Sequence, residues 1–288
     1  MEKRISLSLG TRLLILLGMM GAGLVIASVV GVLVLHSGLY AMLIAQDLLA
    51  FIIPAIAAMA IFYHKPLQSM CFDRAPSWKP LLVVVAFYII SLPGMNWLVS
   101  LNEAMSLPQS MHSVEQWMRA SEQQAAALTE QMLDIHSLGQ LALCIFVVGI
   151  MAGLSEEALF RGALLRTMAD SRLGSHAAVW IAAIVFSAFH MQFFGFLPRM
   201  ILGVWLGYLL LWTRSLWVPI IAHALNNSTV VIFKYLTNMG IVPEGWGDNL
   251  GIPADGTPPY LAIASIIATI ALAAWASRWL THKGTTKA

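Results

Sequence analysis

Residues 141–165 read LALCIFVVGIMAGLSEEALFRGALL. An apolar run is interrupted by two adjacent glutamates, Glu156 and Glu157, and four residues after the second by Arg161. About 20 apolar residues in an α-helix cross the roughly 30 Å hydrocarbon core of a bilayer. A charged side chain held at that depth is costly and marks a functional site unless it is fully paired. The segment therefore reads as a transmembrane helix carrying a polar site, and the rest of the chain must supply the bundle around it.

It does. Of 288 residues, 59% are hydrophobic and only 10% are charged, against roughly 25% charged in an ordinary soluble domain. The expected class is an all-α polytopic membrane protein, a bundle of about eight transmembrane helices. The expected spans run over residues 13–35, 39–62, 80–101, 138–165, 177–194, 197–212, 216–236 and 259–280, with kinks at Pro54 and Pro93. The apolar run after MEKR is too long for a signal-peptide h-region and no clean cleavage site follows it, so it is read as a retained span. Cys71 and Cys144 match no metal spacing and suggest no disulfide scaffold. The ending GTTKA lacks the cysteine of a prenylation signal. The net charge of +2 comes from short loops and gives no reason to expect a nucleic-acid partner.

Loop charges orient the array. If the spans alternate, Lys3, Arg4, Arg12, Lys65, Arg74, Lys79, Arg166, Arg172, Arg214, Arg278, Lys283 and Lys287 fall on one side. The other side holds Glu103, Glu115, Glu122, Glu130, Asp134, Glu244, Asp248 and Asp255, with only Arg119, Arg199 and Lys234 against them. The basic side is cytoplasmic by the positive-inside rule, which puts both termini inside. Three regions follow: residues 1–137, with N-terminal spans and a polar outer-face helix over residues 106–137; a core over 138–236; and an outer loop plus last span over 237–288. The loop at residues 240–259 is dense in Gly and Pro and reads as irregular; its acids do not match an EF-hand.

Helical geometry sorts the polar residues of the core. Glu157 and Arg161 are i,i+4 and share a face, so they can pair. Glu156 points about 100° away and, from Arg166 at the interface, lies about 15 Å deep at 1.5 Å per residue. It needs partners from other helices. FSAFH supplies His190 with Phe186 one turn before it, and HALNN supplies His223 with Asn227 one turn after it. Both histidines come out at a depth of roughly 12 to 18 Å, so a shared cavity is expected. Gly149 and Gly153, and Gly203 and Gly207, stand at GxxxG spacing and read as ordinary close helix packing. Asp47 is a further intramembrane acid with no motif around it, suited to a hydroxyl or backbone partner or to a portal, and is left out of the site. Trp212, Trp217, Trp275 and Trp279 read as interface markers.

EEALFR, FSAFH and HALNN, in this order on successive core helices, resemble the EExxxR, FxxxH and HxxxN motifs of the CPBP family. That family comprises intramembrane proteases including the CAAX prenyl endopeptidases of the Rce type and the bacterial Abi proteins. The resemblance covers residues 138–235. It implies that Glu156 and His190 polarise a water, that His223 and Asn227 receive the oxyanion, and that Glu157 and Arg161 support them. It implies a membrane-associated protein or peptide substrate, prenylated CAAX-type or otherwise, and residence in a membrane (the inner membrane if the source is bacterial). Zinc held by Glu156, His190 and His223 is the mechanistic alternative, although no HExxH is present. A non-proteolytic transporter or scaffold with the same fold is the alternative in kind; it would more naturally carry repeated halves and broken helices, which the sequence lacks.

Overall fold

The computed structural model describes residues 3–33, 38–253 and 257–281. Asp255, Lys283, Lys287 and the last two residues of the expected first span lie outside them. Among the described residues the regular secondary structure is helical, apart from one isolated bridge between Lys3 and Tyr63. The main helices are α1 (Leu9–Leu33), α2 (Leu39–Phe62), α3 (Trp78–Glu103), α4 (His112–Met132), α5 (Leu138–Ala169), α6 (Ser175–Phe189), α7 (Phe196–Thr213), α8 (Trp217–Asn238) and α9 (Tyr260–Thr281).

Six of these, α1, α2, α3, α5, α7 and α9, are long and apolar enough to cross a membrane. The chain is an integral, multi-pass membrane protein. Two of the eight expected spans differ from expectation. Helix α6 is apolar but has only 15 residues, about 22 Å at 1.5 Å per residue. The expected span over residues 177–194 stops short because the chain turns at His190, with Met191 in the left-handed region at φ 55°. Helix α8 has 22 residues but is not apolar enough to qualify, since it carries His223, Asn226, Asn227 and Ser228.

Sequence chemistry accounts for how the core helix begins. Ser137 caps α5, its hydroxyl accepting from the Gln140 amide at 3.2 Å. The Gln140 side chain reaches back to accept from the His136 amide at 2.9 Å, a reciprocal capping pattern that satisfies otherwise orphaned donors. Within α5 the residues Ile145–Met151 and Ala158–Leu165 widen into π-helical turns, and within α2 the residues Asp47–Ile52 do the same. Such bulges concentrate at functional sites. Pro54, whose missing N–H cannot continue the ladder, stands two residues after the turn in α2. At Pro93 of α3, Ser265 of α9 accepts from the Gly94 amide at 3.1 Å and donates to the Ile90 carbonyl at 2.5 Å. A hydroxyl from a neighbouring helix thus inserts into the broken turn.

Glycines set the closest approaches. A Cβ on Gly153 would meet the Ala224 amide nitrogen at 3.1 Å, and one on Gly149 would collide with Ser228. Helix α8 therefore packs closely against α5 at both glycines, the packing expected of the GxxxG spacing. One apolar core joins α1, α2, the second half of α5 and α6 through Phe51, Phe62, Phe160 and Phe186. A second joins α3, α7, α8 and α9 around Phe87 stacked on Trp205, with ring centroids 3.7 Å apart. The polar residues of α5 and α8 lie where these two halves meet.

Candidate active site

Glu157 is the hub. It is fully buried, and its Oε1 accepts from Arg161 Nη1 at 2.8 Å and from His223 Nδ1 at 2.8 Å. Arg161, also fully buried, donates from Nη2 to the Gly203 carbonyl at 3.1 Å. Its guanidinium stacks 4.3 Å from the Phe186 ring centroid. Gly203 has no room for a side chain, because a Cβ there would stand 3.2 Å from Arg161 Nη2. The expected Glu157–Arg161 pair is present. The close packing of α8 on α5 brings His223 to the same oxygen.

Glu156 points elsewhere, as its helical offset requires. Its Oε2 lies 3.9 Å from His190 Nε2 and 3.8 Å from His223 Nε2, too far for direct hydrogen bonds. That oxygen is buried and has no hydrogen-bond partner among the described residues. Both imidazoles are held from behind. At the C-terminus of α6 the His190 amide bonds to Ser187 rather than Phe186. The freed Phe186 carbonyl meets His190 Nδ1 at 2.8 Å. A carbonyl only accepts, so Nδ1 carries the proton and Nε2 of the neutral ring offers its lone pair towards Glu156. His223 Nδ1 is fixed in the same sense by the Glu157 carboxylate. Phe186 sets the spacing, its ring edge-on to His190 at 5.0 Å and to His223 at 5.9 Å.

Asn227 stands one turn beyond His223 on α8. It donates to the Val148 carbonyl at 3.1 Å and accepts from Asn226 at 3.2 Å. It shares a helix with His223 but makes no contact with Glu156 or His190 in these bonds. Two neighbours were not assigned to the site from sequence. Asp47, at the start of the widened turn in α2, accepts from the Ser155 hydroxyl at 2.7 Å, one of the alternatives open to it from sequence, and this holds α2 beside the residue preceding Glu156. Arg199, in the first turn of α7, is tied to Gln192 Oε1 at 2.7 Å, and its charge reaches both His190 and Glu156. The signal that could have found Asp47 is its cost: an acid in an apolar run needs a partner.

Helix α4 packs on the loop that follows His190. Trp117 packs on Phe193 with centroids 5.1 Å apart, Arg119 lies 4.6 Å from the Phe194 ring centroid, and Glu122 accepts from the Phe194 amide at 3.3 Å. The polar helix is thereby joined to the segment between His190 and α7.

As donors, Glu156 Oε2 and two Nε2 atoms with their Nδ1 protons held behind are suited in kind to a divalent metal. Their spacing is not. Neighbouring ligands on a tetrahedral zinc with bonds of about 2.0–2.1 Å stand roughly 3.3 Å apart, whereas these stand 3.8 and 3.9 Å apart. Among the described residues no group of three His, Cys, Asp or Glu is arranged to hold a metal ion. The separations leave room for a water between Glu156 Oε2 and a neighbouring imidazole.

Residues 138–229 match the family model described as type II CAAX prenyl endopeptidase Rce1-like. Every residue of the cluster from Glu156 to Asn227 falls inside that stretch. The chain is also 32% identical over 120 residues to the membrane-embedded CAAX protease MroQ of Staphylococcus aureus (strain USA300). That similarity covers 40% of this chain and 47% of the relative, so the match spans about half the relative's length. No solved structure matches the chain significantly.

Proposed function

Since its residues 138–229 belong to the Rce1-like CAAX-protease family, we propose that this protein is an intramembrane endopeptidase that hydrolyses a peptide bond of a membrane-associated protein or peptide. The observation that carries the reading is the convergence of the orphaned Glu156 Oε2 with two imidazole Nε2 atoms inside a membrane helix bundle.

A water between Glu156 and His190 gives its proton to Glu156 as its oxygen bonds to the scissile carbonyl carbon, the role of a general base. The carbonyl oxygen takes the negative charge and is met by His223 Nε2–H and an Asn227 Nδ2–H, donors held in place before the reaction. His223 donates from Nε2 when doubly protonated, a form that the Glu157 carboxylate at 2.8 Å favours. The C–N bond then breaks, and Glu156 returns the proton to the leaving amine. Arg161 touches no reacting atom; it fixes Glu157, which in turn fixes His223.

The experiment is cleavage by the full-length protein in liposomes, presented with a panel of membrane-anchored peptides that includes a prenylated CAAX tail. Mass spectrometry should find a new C-terminal carboxylate with wild type and none with Glu156→Gln. A panel left intact by well-folded wild-type protein would count against the protease and favour a transporter or scaffold. Cleavage of unprenylated peptides alone would keep the protease and exclude the CAAX-type substrate.

A further inference from the structure

A cluster of positive charge lies at the other end of the bundle from α4. A cavity of about 610 Å³ opens there, within the roughly 300–1,000 Å³ usual for small-molecule sites. It is lined by Lys65, Arg74, Arg166 and Arg214 and by one carboxylate, Asp73, a formal balance of four minus one, or +3. The cations come from three separate parts of the chain: the α2–α3 linker (Lys65, Arg74), the last turn of α5 (Arg166), and the turn after α7 (Arg214). Arg214 is held in the left-handed region at φ 53°.

The walls are tied together rather than loosely apposed. Arg166 Nε donates to the Ser69 carbonyl at 3.0 Å, the Leu216 amide donates to the Cys71 carbonyl at 2.9 Å, and the Ser215 hydroxyl donates to the Arg74 carbonyl at 2.5 Å. The charges of Arg166, Arg74 and Arg214 all act on Cys71 in the cavity lining. Among the described residues, Lys65, Arg74 and Arg214 form no ion pair with a carboxylate. A general preference for basic loops on one face explains why cations occur at this end. It does not explain why they gather on one cavity, where like charges repel. A bound anion would remove that repulsion, and basic pockets between helices at the headgroup level suit phosphate groups.

We infer that this cavity binds a phosphate-bearing anion at the membrane surface, remote from Glu156, through Arg74, Arg214, Arg166 and Lys65. The phosphate can come from an acidic phospholipid headgroup, for which Leu210 and Leu211 in the lining offer an apolar wall, or from free phosphate in solution.

The test uses full-length protein in nanodiscs of phosphatidylcholine, with or without phosphatidylglycerol, and inorganic phosphate added to the phosphatidylcholine discs. Bound lipid is read by native mass spectrometry, and bound phosphate by the shift in thermal midpoint. Wild type should retain phosphatidylglycerol in preference to phosphatidylcholine, respond to phosphate, or both, and the responding arm identifies the source. Arg74→Gln with Arg214→Gln should weaken that binding about tenfold or more, whereas Arg74→Lys with Arg214→Lys should keep most of it. The inference is overturned if wild type responds to neither probe, if the glutamine pair binds like wild type, or if the lysine pair loses binding as fully as the glutamine pair.

Discussion

At the scale of single residues, Glu157 carries more than its motif position discloses. One oxygen serves both a buried guanidinium and the imidazole of His223. Glu157→Gln leaves Arg161 as an uncompensated buried charge, which typically costs about 3–5 kcal/mol. It also replaces a carboxylate behind His223 with an amide. The expected outcome is a lowered thermal midpoint in detergent together with reduced turnover in the fraction that folds. A variant as stable as wild type would show that the pair is not energetically buried. The Glu157–Arg161 contact was legible in the sequence because i,i+4 spacing on one helix fixes it locally. The His223 contact was not, because it depends on how closely α8 approaches α5.

At the scale of elements, that approach rests on Gly153 and Gly149. Gly153→Leu would press against the Ala224 backbone and lever His223 away from Glu156 and Glu157. Overpacking of this kind costs about 1–3 kcal/mol, and turnover should fall with it. Gly139→Leu, where nothing lies within 4 Å, should change neither. Equal behaviour of the two variants would show that the α5–α8 contact does not hold the site. The GxxxG spacing made this packing legible, whereas the widened turns of α2 and α5 and the stop of α6 at His190 were not. Each of these last depends on neighbours: Asp47 answers Ser155, and the Phe186 carbonyl is taken up by a ring nitrogen rather than by the next helical turn.

A second contact between elements gives a pH dependence. Asp170, just past α5, accepts from Tyr63 at 3.1 Å and pairs with Lys3 at 3.1 Å and Arg12 at 3.3 Å, which ties the start of the chain to the end of the core helix. Burial alone would raise its pKa, but Lys3, Tyr63 and Arg12 outweigh it and hold the carboxyl below its ordinary value of 3.8. A depressed carboxyl contributes stability above its unfolded pKa and loses it as the pH falls through the folded value. The stability gap between wild type and Asp170→Asn should therefore be full at neutral pH and close as the pH is taken below 3.8. A gap independent of pH would mean that the carboxylate charge is not what anchors the segment.

At the scale of the whole molecule, composition and the spacing of apolar runs made a polytopic helical bundle legible. The two weakest spans, α6 and α8, are the ones that carry His190 and His223, since polar site residues and an early turn erode the hydropathy that identifies a span. The sidedness rests on loop charge and is a proposal: a cysteine placed at Glu122 should react with an impermeant reagent outside the cell, and one placed at Ser77 should not. The reverse pattern would invert the bundle. The central claim is that Glu156 activates water without help from a metal, and it is tested by the cleavage rate of extensively chelated full-length protein in liposomes, wild type against Glu156→Gln. The expected result is undiminished turnover in metal-stripped wild type and a loss of at least about 10²–10⁴-fold in the folded variant. Activity that vanishes on chelation and returns with added zinc, or a Glu156→Gln protein that still cleaves, would contradict it.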